Sequence, residues 1–190
     1  VANVITGENA VNSVQSLRVE RLAKTAYLTG GKLEGSEAGK LNALTKLSDI
    51  TGSQVAGEGT ITLTTGKGSS AKTVDIAVNE NTTISDVLTQ LKDNGLNATF
   101  DEEQGRLFVS AKSSGEASDF TLSSNDANGL AALSALKLTE DADAKKVDGT
   151  NAKIFLNDAE FTSTTNVFKI NGLTITALQE TKQGEEVTLT

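Results

Sequence analysis

The sequence predicts a mainly β protein with α+β character, on three observations. Short runs alternate apolar residues with Thr or Ser, as where Leu173, Ile175 and Ala177 interleave with Thr174 and Thr176, which is the period of a strand with one buried face. Turn chemistry comes from 17 Gly together with Asn and Asp, and there is no Pro. Only residues 81–95 carry a complete helix signature, so helices should be few. At 190 residues the chain can hold one or two domains, but with 37% hydrophobic and 4% aromatic residues its core must be aliphatic and thin.

In chain order, residues 1–12 read as a loosely apolar strand. Residues 13–23 alternate Val14, Ser16, Arg18 and Glu20 against Gln15, Leu17, Val19 and Arg21, a second strand whose core candidates are Leu17, Val19 and Leu22. Residues 29–39 hold four Gly and several charges and read as a loop. Residues 41–50 are ambiguous: Leu41, Leu44 and Leu47 have helical spacing, and Gly52 is either a helix stop or a linker residue. A domain boundary is placed here. Residues 60–64 and 73–78 form a hairpin around Gly-Lys-Gly-Ser-Ser-Ala-Lys. In the helix of residues 81–95, Thr83 and Asp86 have capping-box spacing, Ile84, Val87, Leu88 and Leu91 make one apolar stripe, and Gly95 can take the left-handed cap. A hairpin of residues 96–100 and 106–111 follows, then a strand at 120–122. Residues 125–138 read as a short helix burying Leu130, Leu133 and Leu136, and 140–151 as a polar linker. Two tight hairpins close the chain, at Asn157-Asp158 and at Asn171-Gly172, residue pairs that supply the positive φ angles of a type I′ turn. Val187 and Leu189 continue the alternation.

Composition excludes most chemistry. The formal charge of −8 has the wrong sign for a nucleic-acid or anionic membrane partner, and the nearest basic group, Arg18, Arg21 and Lys24, is broken by Glu20 and reads as a solvated face. With no Cys there is neither a thiol nucleophile nor a disulfide, and with no His the usual acid–base group and commonest metal ligand are missing. A chain without thiols or prolines also suits export in the unfolded state. Three near-motifs fail on inspection. Gly66-Lys67 has Ile61 where a phosphate loop needs its first Gly, and Gly68 where Ser or Thr should hold magnesium. Asp101, Glu102 and Glu103 lie in a turn with nothing to desolvate one of them. Asp141-x-Asp143-x-Lys145 puts a cation where a calcium loop needs an oxygen. The expectation is therefore no catalytic residue, no cofactor and no metal. No apolar run is long enough for a membrane-spanning helix, and no basic-then-apolar signal segment is present.

Two stretches resemble a known family. Residues 152–190, with a small apolar strand, a turn, a Ser/Thr run ending in Asn166 and then Asn-Gly-Leu-Thr-Ile-Thr-Ala-Leu at 171–178, resemble the closing segment of the bacterial flagellar filament cap family, hook-associated protein 2. Residues 17–26, with their Leu22-Ala23 pair, are similar to a strand motif of the same family, and residues 84–115 resemble a helix-then-hairpin repeat shared by flagellar hook, hook-junction and cap proteins. The resemblance implies two domains. One is discontinuous, built from residues 1–47 and 148–190 next to a coiled-coil stalk that this segment does not contain, and 48–147 form an inserted outer domain. It further implies a structural, non-enzymatic role outside the cell at the flagellum tip, self-association into a ring, and flagellin as partner. Alternatives are a hook–filament junction protein, a flagellin outer domain, or an adhesin binding mucin or glycan.

Overall fold

The computed structural model describes residues 1–6, 14–36, 40–182 and 184–189. Their strands are β1 (Ala2–Thr6), β2 (Gln15–Arg21), β3 (Thr25–Thr29), β4 (Gly59–Thr65), β5 (Lys72–Val78), β6 (Asn97–Asp101) and β7 (Arg106–Ser114), followed by β8 (Phe120–Ser123), β9 (Lys145–Val147), β10 (Ala152–Leu156), β11 (Ala159–Ser163), β12 (Val167–Ile170), β13 (Leu173–Ala177) and β14 (Val187–Leu189). Helix α1 (Ile84–Asp93) lies between β5 and β6, and α2 (Ala127–Ala135) follows β8. The described residues are mainly β, with four antiparallel sheets and two α-helices.

Two of the sheets enclose a smaller core. Sheets β1-β13-β12 and β11-β10-β2-β14 bury Leu17, Val19, Ile154, Phe168 and Ile175 between them. Strands from both ends of the chain meet here, because β1 pairs with β13 and β14 pairs with β2. The two hairpins have the turns their residues dictate: φ is +52° and +65° at Asn157 and Asp158, and +47° and +78° at Asn171 and Gly172. Positive φ at both central residues matches the strand twist, so each turn holds its hairpin in register without a bulge. Leu173, Ile175 and Ala177 are buried as the alternation requires. Residues 7–12, Ser13 and Thr190 lie outside the described residues.

The larger core runs from Ala26 to Ala144, between sheets β6-β7-β3-β9 and β5-β4-β8. Helix α1 packs on β6 and β5 and covers one seam between the sheets. Its capping box is complete, with the Asp86 N–H donating to Thr83 Oγ1 at 3.0 Å and the Thr83 N–H to Asp86 Oδ2 at 2.9 Å. Gly95 takes the left-handed cap with φ +90°. Helix α2 lies on β4, capped by Asp126, whose Oδ1 accepts from the Gly129 N–H and whose Oδ2 accepts from the Thr60 N–H.

Four expectations change. Residues 25–28, for which no element is expected, and Thr29, expected in a loop, form β3, which sits between β7 and β9, buries Ala26 and Leu28, and places Tyr27 outside. The supposed linker 140–151 contains β9, whose three residues pair with β3. Residues 41–50 do not form a helix. Asn42 Oδ1 takes the Leu44 N–H and Thr45 Oγ1 takes the Asn42 N–H, so the chain turns, Leu44 is 75% exposed, and only a 3-10 turn (Leu47–Asp49) follows. Leu130 is 51% exposed because α2 buries Gly129, Ala132, Leu133 and the following Leu136, a stripe closer to 3.6 residues per turn than 130, 133 and 136. Ala26, Leu28, Leu33, Leu41 and Leu47 pack in the larger core.

Candidate functional site: the neck between the two cores

The chain passes between the cores twice, through residues 22–24 and 148–151, and the passage is made of polar contacts. Lys24 and Thr150 exchange backbone hydrogen bonds of 3.0 and 3.1 Å, an isolated antiparallel bridge. A third segment, 114–119, leans against it. The Gly115 N–H donates to Lys24 O at 3.1 Å, the Glu116 N–H to Asn151 Oδ1 at 3.0 Å, and Ser114 Oγ to Thr164 O at 2.6 Å. From the smaller core, Arg21 Nε donates to Asn151 O at 2.8 Å and the Ala23 N–H to Asn166 Oδ1 at 2.6 Å. Glycine is required where these segments touch: Gly115 has φ +101°, and a Cβ there would stand 2.9 Å from Thr164 Cβ.

One buried acid anchors the third segment. Asp119, 3% exposed, ends the turn that follows Gly115, and its Oδ1 accepts from Lys146 Nζ of β9 at 2.9 Å and from the Gly149 N–H at 3.0 Å. Its Oδ2 lies 3.5 Å from Lys67 Nζ, at the tip of the β4–β5 hairpin. Lys146 also reaches Asp148 at 3.1 Å and stands over the Phe120 ring, 5.0 Å from its centre. Burial is the largest single influence on the Asp119 carboxyl and pushes its pKa up. The Gly149 N–H, the Lys146 ammonium and the Phe120 N–H together outweigh it, so the group is held below the usual carboxylate value and stays ionised. Charge-assisted hydrogen bonds of this kind contribute about 1.5–3 kcal/mol each.

The near-motifs of the sequence lie elsewhere or serve this arrangement. Gly66-Lys67-Gly68 is a hairpin tip leading into a 3-10 turn, and Lys67 points to Asp119. Asp101 closes the β6–β7 turn by accepting the Gln104 N–H at 2.9 Å, while Glu102 accepts from the Ala43 N–H at 3.4 Å. Asp141 belongs to a 3-10 turn (Glu140–Ala142) that ends on Asp143, with φ +66°. Among the described residues no group of three or more acidic, His or Cys side chains could hold a metal ion, and no helix is long and apolar enough to cross a membrane. The basic residues do not act as one patch: Arg18 lies over the Phe155 ring at 4.2 Å, whereas Arg21 and Lys24 are parts of the neck. Sequence reasoning missed Asp119, and no local signal marks it, since its partners lie 27, 30 and 52 residues away.

A second surface stands out on the larger core. The outward face of β6-β7-β3-β9 is a shallow concavity of about 370 Å³ in which Tyr27 and Phe108 are half exposed among Thr29, Asn97, Thr99 and Ser110.

Among the described residues, four antiparallel sheets form two cores joined by a polar neck. Solved structures that share this fold include flagellar cap proteins. The D2-D3 domains of FliD from Serratia marcescens align with a TM-score of 0.67 over 99% of this chain and 98% of that one, at 21% identity. The D2-D3 domains of the Escherichia coli protein align with a TM-score of 0.68 over 98% and 91%, at 17% identity. FliD from Pseudomonas aeruginosa aligns with a TM-score of 0.61 over 99% and 82%, also at 17% identity. Comparison of the sequence itself finds no matching family model and no matching curated protein. The chain therefore has the fold of the D2-D3 domains of flagellar cap proteins.

Proposed function

We propose that this chain is a structural part of a bacterial flagellar filament cap, and that in the assembled organelle it works outside the cell at the filament tip, as one copy in a ring beneath which flagellin adds. The observation that carries this reading is the fold match to FliD D2-D3 domains along 98–99% of the chain. The absence of His and Cys from the sequence agrees with a part that performs no catalysis. We place the division between the two structural units at the neck, so that the residues between Lys24 and Thr150 form the inserted unit.

Immunogold electron microscopy of the source bacterium, with antibodies raised against this chain, tests the proposal. Gold confined to the distal ends of filaments is the expected result. Label spread along the filament would make the chain a flagellin outer domain, and label at the hook end a junction protein; either overturns the cap reading. A second reading is supported by the half-exposed Tyr27 and Phe108, since aromatic faces flanked by hydroxyl and amide groups suit the apolar and polar faces of a sugar ring. Binding to mucin-type glycans on an array, lost in Tyr27→Ala with Phe108→Ala, would support an adhesive role. No binding by the parent chain would remove it.

A further inference from the structure

The two cores share no apolar cluster: the smaller one contains residues up to Ala23 and from Ala152 onward, and the larger one contains residues from Ala26 to Ala144. The neck therefore owes its geometry to hydrogen bonds rather than to burial, and a polar joint of this kind can open while each core stays closed. Residues 114–119 occupy a particular place in it. At one end, Ser114, Gly115 and Glu116 donate to Thr164, Lys24 and Asn151, which are neck or smaller-core residues. At the other end, Asp119 holds Lys146 of β9, Lys67 of the β4–β5 hairpin and the Gly149 N–H.

We infer that residues 114–119 are a bolt across the neck, and that the grip of the Asp119 carboxylate on Lys146, Lys67 and Gly149 keeps the larger unit at a fixed orientation on the smaller one. Three features make the carboxylate decisive. It is the only acid within ion-pair distance of both lysines among the described residues, so neutralising it removes the buried partner of Lys146, which keeps only the exposed Asp148, and the weaker contact of the half-exposed Lys67. Gly149, which it fixes, precedes the Lys24–Thr150 bridge by one residue. Gly149 also lies so close to the bolt that a Cβ there would stand 2.6 Å from Gly115 O, so the two ends of the device are in mutual contact and cannot loosen separately. Losing the grip should release the bridge and the bolt together, and the larger unit should then swing about residues 22–24 and 148–151 without unfolding.

Hydrogen exchange read residue by residue on the whole chain tests this, using Asp119→Asn. Amide exchange at Lys24, Gly115, Gly149 and Thr150 should accelerate by at least about tenfold, the change expected from one lost charge-assisted hydrogen bond. Amides of Ile61, Leu63 and Leu107 in the larger core and of Ile154 and Ile175 in the smaller one should keep their rates within about twofold. Residual dipolar couplings should fit one alignment tensor in the parent chain and require two in the variant. Lys67→Met, which leaves the pair with Lys146 intact, should change these readings little. Should Asp119→Asn fail to fold, Asn151→Ala loosens the same bolt from the other end and should give the same local pattern with the ion pairs unbroken. Acceleration spread evenly through the core amides, or couplings that still fit one tensor in both Asp119→Asn and Asn151→Ala, would overturn the inference.

Discussion

Replacing Gly129 by Ala sets a local preference against a tertiary contact. Gly129 is the third residue of α2, in its first turn, where helix propensity alone favours Ala over Gly by at most about 1 kcal/mol. In the folded protein, however, a Cβ at 129 would stand 2.2 Å from Thr60 O of β4 and 2.0 Å from Ser124 Oγ. The serine can rotate away, at the cost of its 2.6 Å hydrogen bond to Thr60 O, a loss of about 1 kcal/mol. The carbonyl cannot move without breaking the ladder of β4, so α2 must lift from the sheet by roughly 1 Å and loosen Ala132, Leu133 and Leu136, an overpacking penalty of about 1–3 kcal/mol. The net expectation is a loss of about 1–3 kcal/mol, read as a lower urea midpoint at unchanged slope. Adding Ser124→Ala should recover little, because Thr60 O remains. If Gly129→Ala were as stable as the parent or more so, the packing of α2 against β4 described here would be wrong.

Other consequences are as direct. Thr83→Ala removes the side-chain half of the α1 capping box and should cost about 1 kcal/mol by urea unfolding; Thr83→Ser should cost much less. Asn171→Val puts a β-branched residue at φ +47° and should cost about 1–3 kcal/mol, with the loss showing first as faster exchange in the β12–β13 hairpin. On pH, Asp119 has a folded pKa below its unfolded value, so its stabilisation is fully present above the unfolded carboxylate value of about 3.9 and is lost as pH falls through the folded one. The unfolding midpoint should therefore be flat between about pH 5 and 8 and fall below about pH 4; a marked shift between pH 5 and 8 would contradict this, since the chain has no His to titrate there.

The hairpins at Asn157-Asp158 and Asn171-Gly172, the cap and stripe of α1, and the buried face of β13 were legible because each depends on neighbouring residues: positive φ belongs to particular side chains, and a buried face repeats every second or fourth position. The same kind of signal was present in Thr-Ala-Tyr-Leu-Thr at 25–29, but five residues between a strand and a Gly-rich loop look like a connection until β7 and β9 pair with them from either side. The three residues of β9 become a strand only because β3 offers an edge. Leu44 and Leu130 are outside for a related reason: a local turn and the close approach of Gly129 to Thr60 decide which face turns inward, and that choice belongs to the packing. The neck was wholly a product of the tertiary structure. Asp119 is an ordinary acid in the sequence, and it becomes the anchor of the joint only when chain segments 27 and 52 residues away bring Lys146 and Lys67 to a carboxylate that burial has stripped of water.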